Sequence, residues 1–430
     1  MNLKVVDFLV LIFCNLPLVY FLVWLRKSKG IDQGEQILVT LLWLVHLGFS
    51  FFYASYILHN GGDSLRFWQL TADTSQHAQN WMGYFGINTF FIQWLNYIPS
   101  KLLGFSYWSG TFVYSTFSFM GVVLLFLSFR FLILERIGML AFPKLLYLPL
   151  FLPGLHFWTA GVSKENLLFL GLSMLFYSLT MPGTTMILGL IGWIICLFVR
   201  PVVGIFFIPV LVWLLLPVLK KSLSKSVILI VILVILFFQA INQFLLYLHL
   251  ESFSQDSFKA FSTNQLYYLN SFNASTAIPM VEMNSMERLF AVIFRPLLWE
   301  SWDFYSVIIA IENTWLMLIT LLALFLYSYR VYRVLIIYFS KFSPARRRGG
   351  MGGTRLQIIP WYVVLRNTPF PIPFSAKYYS IIAVGMFLLF TFTLNNFGLF
   401  YRMKSIWMPF LQFSILWLIC SSTAYLKRSP

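Results

Sequence analysis

Charged side chains are the scarcest component of this 430-residue chain. Asp, Glu, Lys and Arg together make up 10% of it, whereas an ordinary soluble domain carries about 25%. Hydrophobic residues make up 60% and aromatic residues 20%. These proportions exclude a water-soluble globule, a disordered chain and a coiled coil.

Acidic residues and cysteine are also rare. The 14 acidic residues are outnumbered by 30 basic ones, which gives a formal charge of +16. No basic domain stands apart from the apolar segments, so nucleic acid is not a predicted partner. The three cysteines, Cys14, Cys196 and Cys420, are far apart within apolar runs, which predicts neither a disulfide nor a metal site. We therefore predict no cofactor, and nothing in the spacing supports a divalent metal.

Long apolar runs dominate the sequence. A helix needs about 20 mostly apolar residues to cross ~30 Å of hydrocarbon, and about eleven stretches meet this requirement. The sequence therefore predicts an all-α, polytopic integral membrane protein with one transmembrane domain over residues 1–430. The predicted spans centre on 6–25, 37–58, 107–128, 139–154, 165–182, 184–199, 202–218, 227–247, 305–328, 378–395 and 405–425.

Basic residues in the connecting segments predict the orientation, because cytoplasmic loops collect Lys and Arg. If the loop 26–36 lies inside, the inside segments hold about twice as many basic residues as the outside ones. This places the N-terminus outside and the C-terminus in the cytoplasm. The inside loop 329–377 contains Ser343-Pro-Ala-Arg-Arg-Arg-Gly-Gly but lacks the spacing of a phosphate-binding glycine loop. We interpret it as a flexible cytoplasmic loop, with anionic lipid headgroups as an alternative ligand.

Two outside segments, 59–106 and 249–305, are much longer than a connector requires. Both are rich in Trp, Tyr and Phe and have many polar residues but few long apolar runs. This composition is typical of interfacial or re-entrant helices at a membrane surface.

Charged residues beside membrane spans are costly unless they face a cavity or each other, so each is a candidate functional residue. In the first outer loop, Asp63 and Arg66 lie three residues apart, where a helix places them on one face as a pair. Asp63 is a candidate general base that faces the outer aqueous side. The alternative is an N-cap, in which Asp63 binds the first amides of an interfacial helix.

The fifth apolar run begins with Lys164 and Glu165, and Ser163 is available as its N-cap. The helix dipole favours Glu165 there but disfavours Lys164, so we expect an anionic ligand or partner beside the lysine. His156, in the preceding connection, is a candidate proton-transfer group. A lone histidine among aromatic residues is, however, more often structural.

Three arginines lie on the predicted outer side against the positive-inside bias: Arg200, Arg295 and Arg402. Glu300 and Glu312 lie near the start of the ninth predicted span, and we expect Glu312 to pair with one of the arginines. Charges drawn from several separate segments favour the lining of an anion site over isolated interface anchors.

Arginine presents paired, planar donors to phosphate, so a lipid diphosphate at the outer leaflet would match this set. A nearby carboxylate, Asp63 or Glu300, would take the proton from a sugar hydroxyl while the arginines stabilise the diphosphate leaving group. Aromatic side chains of the outer loops offer faces on which sugar rings can stack.

The order of these motifs resembles that of bacterial inner-membrane proteins of envelope-polysaccharide synthesis. The chain is similar to the EpsG and Wzy-type polymerases and, more loosely, to GT-C glycosyltransferases. The matching stretches are Gly62-Asp-Ser, Leu152-Pro-Gly-Leu-His-Phe-Trp-Thr-Ala-Gly-Val-Ser-Lys-Glu, Val199-Arg-Pro, Phe294-Arg-Pro-Leu-Leu-Trp-Glu, Glu312-Asn and Asn396-Phe-Gly-Leu-Phe-Tyr-Arg-Met-Lys. Asp63 follows the second predicted span, whereas the acidic residue of GT-C enzymes usually follows the first, and the arginines are more dispersed than in Wzy-type enzymes.

The resemblance implies transfer or polymerisation of polyprenyl-linked sugars on the outer side of the inner membrane, with a lipid-linked donor and a glycan acceptor as partners. We take three residues as candidate catalytic groups: Asp63, Glu300 and His156. The candidate substrate-binding residues are Arg66, Lys164, Glu165, Arg200, Arg295, Glu312, Asn396 and Arg402.

Two other classes of function remain open. A transporter, flippase or export component for lipid-linked or anionic substrates would need charge at the midplane and unwound helices there. The spans offer few such residues: His46, Asn242, Gln243 and Glu312. A non-catalytic subunit of an envelope complex would leave the outer charges unexplained.

Overall fold

The computed structural model describes residues 3–72, 78–181, 185–219, 254–271, 276–301, 303–341 and 372–428, together with positions 227, 231 and 238. Every regular element within these residues is a helix, which confirms the all-α prediction. Five of the described helices are long and apolar enough to cross a membrane, namely Gln33–Asn60, Tyr107–Glu135, Phe304–Val334, Phe374–Thr393 and Met408–Arg428.

The described α-helices are numbered here in chain order. They are α1 (Val5–Lys29), α2 (Gln33–Asn60), α3 (Asp63–Gln69), α4 (Thr89–Asn96), α5 (Tyr107–Glu135), α6 (Pro153–Thr159), α7 (Lys164–Thr180), α8 (Met186–Val199), α9 (Pro201–Phe206), α10 (Ile208–Leu219), α11 (Gln255–Asn270), α12 (Ser285–Phe294), α13 (Phe304–Lys341), α14 (Phe374–Thr393), α15 (Phe397–Ser405) and α16 (Met408–Arg428).

Eight of the predicted spans each coincide with one described helix. The predicted span 202–218 is divided between α9 and α10 at Phe207. The predicted span 139–154 does not form one α-helix. Its centre is a 3-10 segment, Pro143–Phe151, which is followed by the short helix α6. Pro149 lies inside this segment and has no amide N–H, so it removes an α-helical hydrogen bond and disfavours a regular α-helix there. The predicted span 227–247, apart from three positions, and the centre of the basic loop, 342–371, lie outside the described residues.

Local sequence determines where several helices begin. Ser163 caps α7, as predicted, by accepting a hydrogen bond from the Asn166 amide at 3.1 Å. Pro201 begins α9, also as predicted, because its fixed φ suits the first helical position and its missing N–H costs nothing there.

Glycines bring α7 and α8 close together. A Cβ at Gly171 would lie 2.8 Å from the Cys196 sulfur, and one at Gly192 would lie 2.6 Å from the Gly171 carbonyl oxygen. Small residues let the two backbones approach each other, as they do between helices in membranes. The two helices are antiparallel neighbours, so the first residues of α7 lie beside the last residues of α8.

The two long segments 59–106 and 249–305 contain short helices. Residues 59–106 include α3 and α4, and residues 249–305 include α11 and α12. In α12 the side chains of Met286 and Phe290 are exposed, whereas Ala291 and Val292 are buried. One face of this helix therefore packs on the protein, and an apolar patch remains exposed.

Candidate functional site

Four charged side chains form a continuous chain of ion pairs, which we call the ionic ladder: Asp63, Arg402, Glu165 and Arg200. Arg402 Nη1 lies 3.2 Å from Asp63 Oδ2, and Arg402 Nη2 lies 3.0 Å from Glu165 Oε2. Arg200 Nη2 donates to Glu165 Oε1 at 2.8 Å. The structure therefore brings together one candidate base and three candidate substrate-binding residues from four separate segments.

Burial decreases from the centre of the ladder to its Asp63 end. The Glu165 side chain is 0% exposed, that of Arg402 is 16% exposed and that of Asp63 is 58% exposed. A buried carboxylate is stable only when it is paired, and Glu165 has two arginines. Glu165 thus anchors the ladder, whereas Asp63 is its solvent-facing end.

Asp63 does not act as the N-cap of α3. The cap position is Gly62, without a side-chain hydrogen bond, and Asp63 is the first residue of the helix. Its carboxylate extends to Arg402 instead. The predicted pair with Arg66 is not formed, since Arg66 lies exposed on α3.

Arg402 carries a permanent positive charge at the centre of the ladder. Burial by itself would lower its pKa, but the Glu165 and Asp63 carboxylates raise the pKa of Arg402 above its ordinary value. Its guanidinium carbon lies 5.7 Å from the centre of the Trp158 ring, a cation–π distance. The Nε atoms of Arg402 and Arg200 are buried without a hydrogen-bond partner among the described residues.

Lys164 adds a further positive charge beside the ladder. Its ammonium donates to Thr89 Oγ1 at 2.8 Å and lies 5.3 Å from the centre of the Phe67 ring. From the sequence we expected an anionic partner beside Lys164, and Thr89 and Phe67 provide part of the stabilisation of its charge. Among the described residues, Lys164, Arg200 and Arg402 lie beside two carboxylates, so basic side chains outnumber acidic ones in this group. Burial lowers the pKa of Lys164 to about 7.

Arg295 and Glu300 form a separate, local pair. Arg295 Nε donates to Glu300 Oε1 at 2.7 Å, and the Leu297 amide donates to Glu300 Oε2 at 2.8 Å. Both carboxylate oxygens of Glu300 therefore bind groups that lie within five residues of it along the chain. The guanidinium of Arg295 lies over the Phe397 ring at 5.2 Å, which places the pair against the start of α15 rather than in the ladder.

Glu312 has no arginine partner among the described ion pairs, in contrast to the expectation. Its Oε2 accepts hydrogen bonds from the Gly154 amide at 2.8 Å and from the Tyr401 hydroxyl at 2.7 Å. Only glycine fits at position 154, because a Cβ there would lie 2.4 Å from the Tyr401 oxygen. Glu312 thus connects α13, α6 and α15.

Lys404, which the sequence did not single out, is fully buried near Glu312. Its ammonium lies 2.7 Å from Asn313 Oδ1 and within hydrogen-bond distance of the carbonyl oxygens of Val292, Ile293 and Arg295. These carbonyls close the C-terminal end of α12, where a positive charge is favourable. Burial lowers the pKa of Lys404 to about 7, and the Glu312 carboxylate opposes this shift.

His156 lies in a closed hydrogen-bond chain. Its Nε2 is 2.8 Å from the Leu150 carbonyl, and its Nδ1 is 2.9 Å from Nδ1 of His46, whose Nε2 is 2.8 Å from Ser118 Oγ. A carbonyl can only accept, so the network assigns the proton of His156 to Nε2. Every ring nitrogen then has a protein partner, and His156 fixes the position of α6.

Asn396 is a helix cap. Its side chain accepts a hydrogen bond from the Leu399 amide at 2.9 Å and so begins α15. Trp158 and Tyr401 were not singled out either, although both lie in the motifs named above. Aromatic residues are common at membrane interfaces, so their type alone gave no signal.

The comparisons with known proteins and the search for metal ligands give no positive result. Among the described residues, no group of three or more His, Cys, Asp or Glu side chains is arranged to hold a metal ion. No protein-family model, no curated protein and no solved structure matches the chain. Any function must therefore be argued from the site itself.

Proposed function

We propose that the protein is a membrane glycosyltransferase or polysaccharide polymerase that acts on polyprenyl-(di)phosphate-linked sugars at the outer face of a bacterial inner membrane. The convergence of Asp63, Glu165, Arg200 and Arg402, with Lys164 beside them, carries the proposal. In this arrangement the N-terminus lies outside, the C-terminus is cytoplasmic and about eleven spans cross the bilayer. The exposed apolar side chains of α12 lie in the outer interface.

Each member of the ladder has a different role in this proposal. Arg200 and Arg402, with Lys164 beside them, hold the phosphate groups of the lipid donor through charged hydrogen bonds. They stabilise the negative charge that develops on the diphosphate as the sugar leaves. Glu165 does not touch the substrate and holds the two arginines in position.

Asp63 is the general base of the proposed reaction. It takes the proton from the acceptor hydroxyl, while that oxygen forms a bond to the anomeric carbon and the bond to the diphosphate breaks. A phosphate that pairs with Arg402 displaces the exposed Asp63 carboxylate from its 3.2 Å contact. Donor binding therefore frees the base at the place where the base is required.

The position of the ladder favours a transferase over a transporter. Its members lie in the short helices α3 and α15, at the start of α7, and between α8 and α9. None of them lies in one of the five described helices that are long and apolar enough to cross a membrane. The buried His46–His156 pair, between α2 and α6, has protein partners at all of its ring nitrogens, so neither histidine presents an open nitrogen to a transported substrate.

The test compares two ion-pair arginines in cells that lack the native gene. One strain carries Arg402→Ala and the other Arg130→Ala, which removes an ion pair between α2 and α5. Surface glycan length and the leaflet distribution of lipid-linked sugar are measured at matched protein levels. Arg402→Ala should abolish the polymer and accumulate precursor on the outer leaflet, whereas Arg130→Ala should retain the glycan.

Two results would contradict the proposal. Precursor trapped on the inner leaflet in the Arg402→Ala strain would favour a flippase. Unchanged glycan in that strain would exclude both the transferase and the flippase and leave a non-catalytic subunit.

A further inference from the structure

We propose that Glu312 and Tyr305 form a sugar-binding subsite beside the ionic ladder, which takes the hydroxyl groups of the sugar carried by the lipid donor. This inference rests on the proposed function, because it assigns the second half of the same substrate. In the proposed function, the ionic ladder binds the phosphate groups of the donor. No residue has yet been assigned to binding of the sugar.

Two polar atoms in this region are buried without a hydrogen-bond partner among the described residues: Glu312 Oε1 and the Tyr305 hydroxyl. Leaving a buried polar group unpaired costs roughly 1–3 kcal/mol. The other oxygen of Glu312 is fully engaged with Gly154 and Tyr401. The free carboxylate oxygen and the free hydroxyl are therefore available for a ligand.

Three aromatic rings pack around the Tyr305 ring. The Tyr305 ring lies 4.6 Å from that of Phe157, 5.8 Å from that of Tyr56 and 6.2 Å from that of Tyr401. Tyr401 donates its hydroxyl to Glu312, which connects the carboxylate to the same group of rings. Tyr56 and Tyr305 are partly exposed, so the group reaches the surface through them.

The chemistry of this group fits a sugar and not a second phosphate. A carboxylate repels an anion and requires donors, which sugar hydroxyls supply. The Tyr305 hydroxyl can both donate and accept, as a sugar hydroxyl does. The aromatic faces match the apolar C–H surface of a sugar ring.

The subsite is continuous with the ladder through two pairs of neighbouring residues. In α6, Phe157 packs against Tyr305 while Trp158 lies beside Arg402. In α15, Tyr401 binds Glu312 while the next residue, Arg402, belongs to the ladder. A ligand with a phosphate and an attached sugar would therefore span two adjacent sites on the same two helices.

The experiment measures binding to the purified full-length protein in lipid nanodiscs. The probes are farnesyl diphosphate and the same lipid diphosphate carrying glucose, galactose or N-acetylglucosamine. The wild-type protein should bind at least one glycosylated probe about tenfold more tightly than the bare diphosphate, which is the weight of about one hydrogen bond to a charged group. Tyr305→Phe and Glu312→Gln should each reduce this preference severalfold, while affinity for the bare diphosphate stays within about twofold.

The tyrosine variants separate binding from folding. Tyr305→Phe removes a hydroxyl without a described protein partner, so the thermal midpoint should not fall. Tyr401→Phe removes a hydroxyl that bonds Glu312, so the midpoint should fall. A Tyr305→Phe variant that keeps the wild-type midpoint and loses the preference for glycosylated probes assigns the hydroxyl to the ligand, because its loss then affects binding and not folding.

The results distinguish the two proposals. Equal affinity for bare and glycosylated probes, or a preference that survives in both variants, would overturn the sugar subsite and leave the phosphate role of the ladder intact. If only glycosylated probes bind, through Glu312 and Tyr305 and without any effect of Arg402→Ala, the phosphate role fails and the subsite stands. If none of the four probes binds, both proposals fail.

Discussion

The ionic ladder and the Glu35–Arg130 pair are both ion pairs between distant segments, yet they are built differently. Arg130 Nε lies 2.8 Å from both oxygens of Glu35, and Arg130 also donates to the Gly30 carbonyl at 2.9 Å. In the described ion pairs, each partner has one opposite charge, and the pair connects the start of α2 to the end of α5. In the ladder, Glu165 is shared by two arginines and Arg402 by two carboxylates.

The Glu35–Arg130 pair is built to hold two helices together, whereas the ionic ladder is suited to binding a ligand. The Glu35–Arg130 pair satisfies its charges internally, and its two side chains are 14% and 18% exposed. The ladder ends in a carboxylate that is 58% exposed and contains guanidinium nitrogens without described partners. An open-ended chain of charges can exchange one member for a ligand.

The largest expected effect comes from breaking the ladder at its centre with Glu165→Gln. Two guanidinium groups would then lose the buried carboxylate between them, at a cost of about 3–5 kcal/mol. We expect this loss in the free energy of unfolding, measured by detergent titration in mixed micelles, together with loss of product. Glu165→Asp should recover part of both, and wild-type stability in Glu165→Gln would contradict the anchoring role.

Asp63→Asn should separate activity from stability. We expect product formation to fall about 100-fold or more, because the general base is lost. Stability should change by less than about 1 kcal/mol, because the Asp63 side chain is 58% exposed and Arg402 keeps its pair with Glu165. A stability loss as large as that of Glu165→Gln would show that Asp63 is a structural member of the ladder.

The thermal midpoint should depend on pH because Lys404, the buried lysine near Glu312, titrates at a different pH in the folded and unfolded states. Burial lowers its pKa to about 7, whereas an unfolded lysine titrates near 10.4. The unfolded state therefore binds more protons between these values, and the penalty for the buried ammonium is complete below about pH 7 and relieved above it. From pH 7 to 9, the thermal midpoint of the wild type should rise relative to Lys404→Met by roughly 2 °C or more.

Glu35→Gln is the control for that pH series, because it retains Lys404 and should follow the wild type. A wild-type midpoint that falls relative to Lys404→Met as the pH rises would show a different balance. In that case the carbonyl oxygens around the ammonium would outweigh the cost of its burial.

Glu35→Gln at neutral pH should give the smallest effect. The amide still accepts one hydrogen bond from Arg130 but loses the charge, which should cost about 1 kcal/mol at this partly exposed site. Product formation should stay at the wild-type level. A large loss of product here would remove the contrast between the two kinds of ion pair.

Sequence periodicity and composition predicted most of the helices and the ladder residues, because apolar length and isolated charges are local features. They did not predict which charges would meet. Glu300 was paired five residues away instead of joining the ladder, and Glu312 found a tyrosine and an amide in place of an arginine. The partners of Lys404 are backbone carbonyls, which no side-chain pattern can reveal.

α15 has a mechanical consequence for the site. Tyr401, Arg402 and Lys404 point in different directions around a helix that turns about 100° per residue, and each is held by a different part of the protein. The helix cannot swivel about its axis without breaking at least one of these three attachments. The three attachments therefore fix the rotation of α15 about its axis, so the Arg402 side chain stays directed toward Glu165 and Asp63.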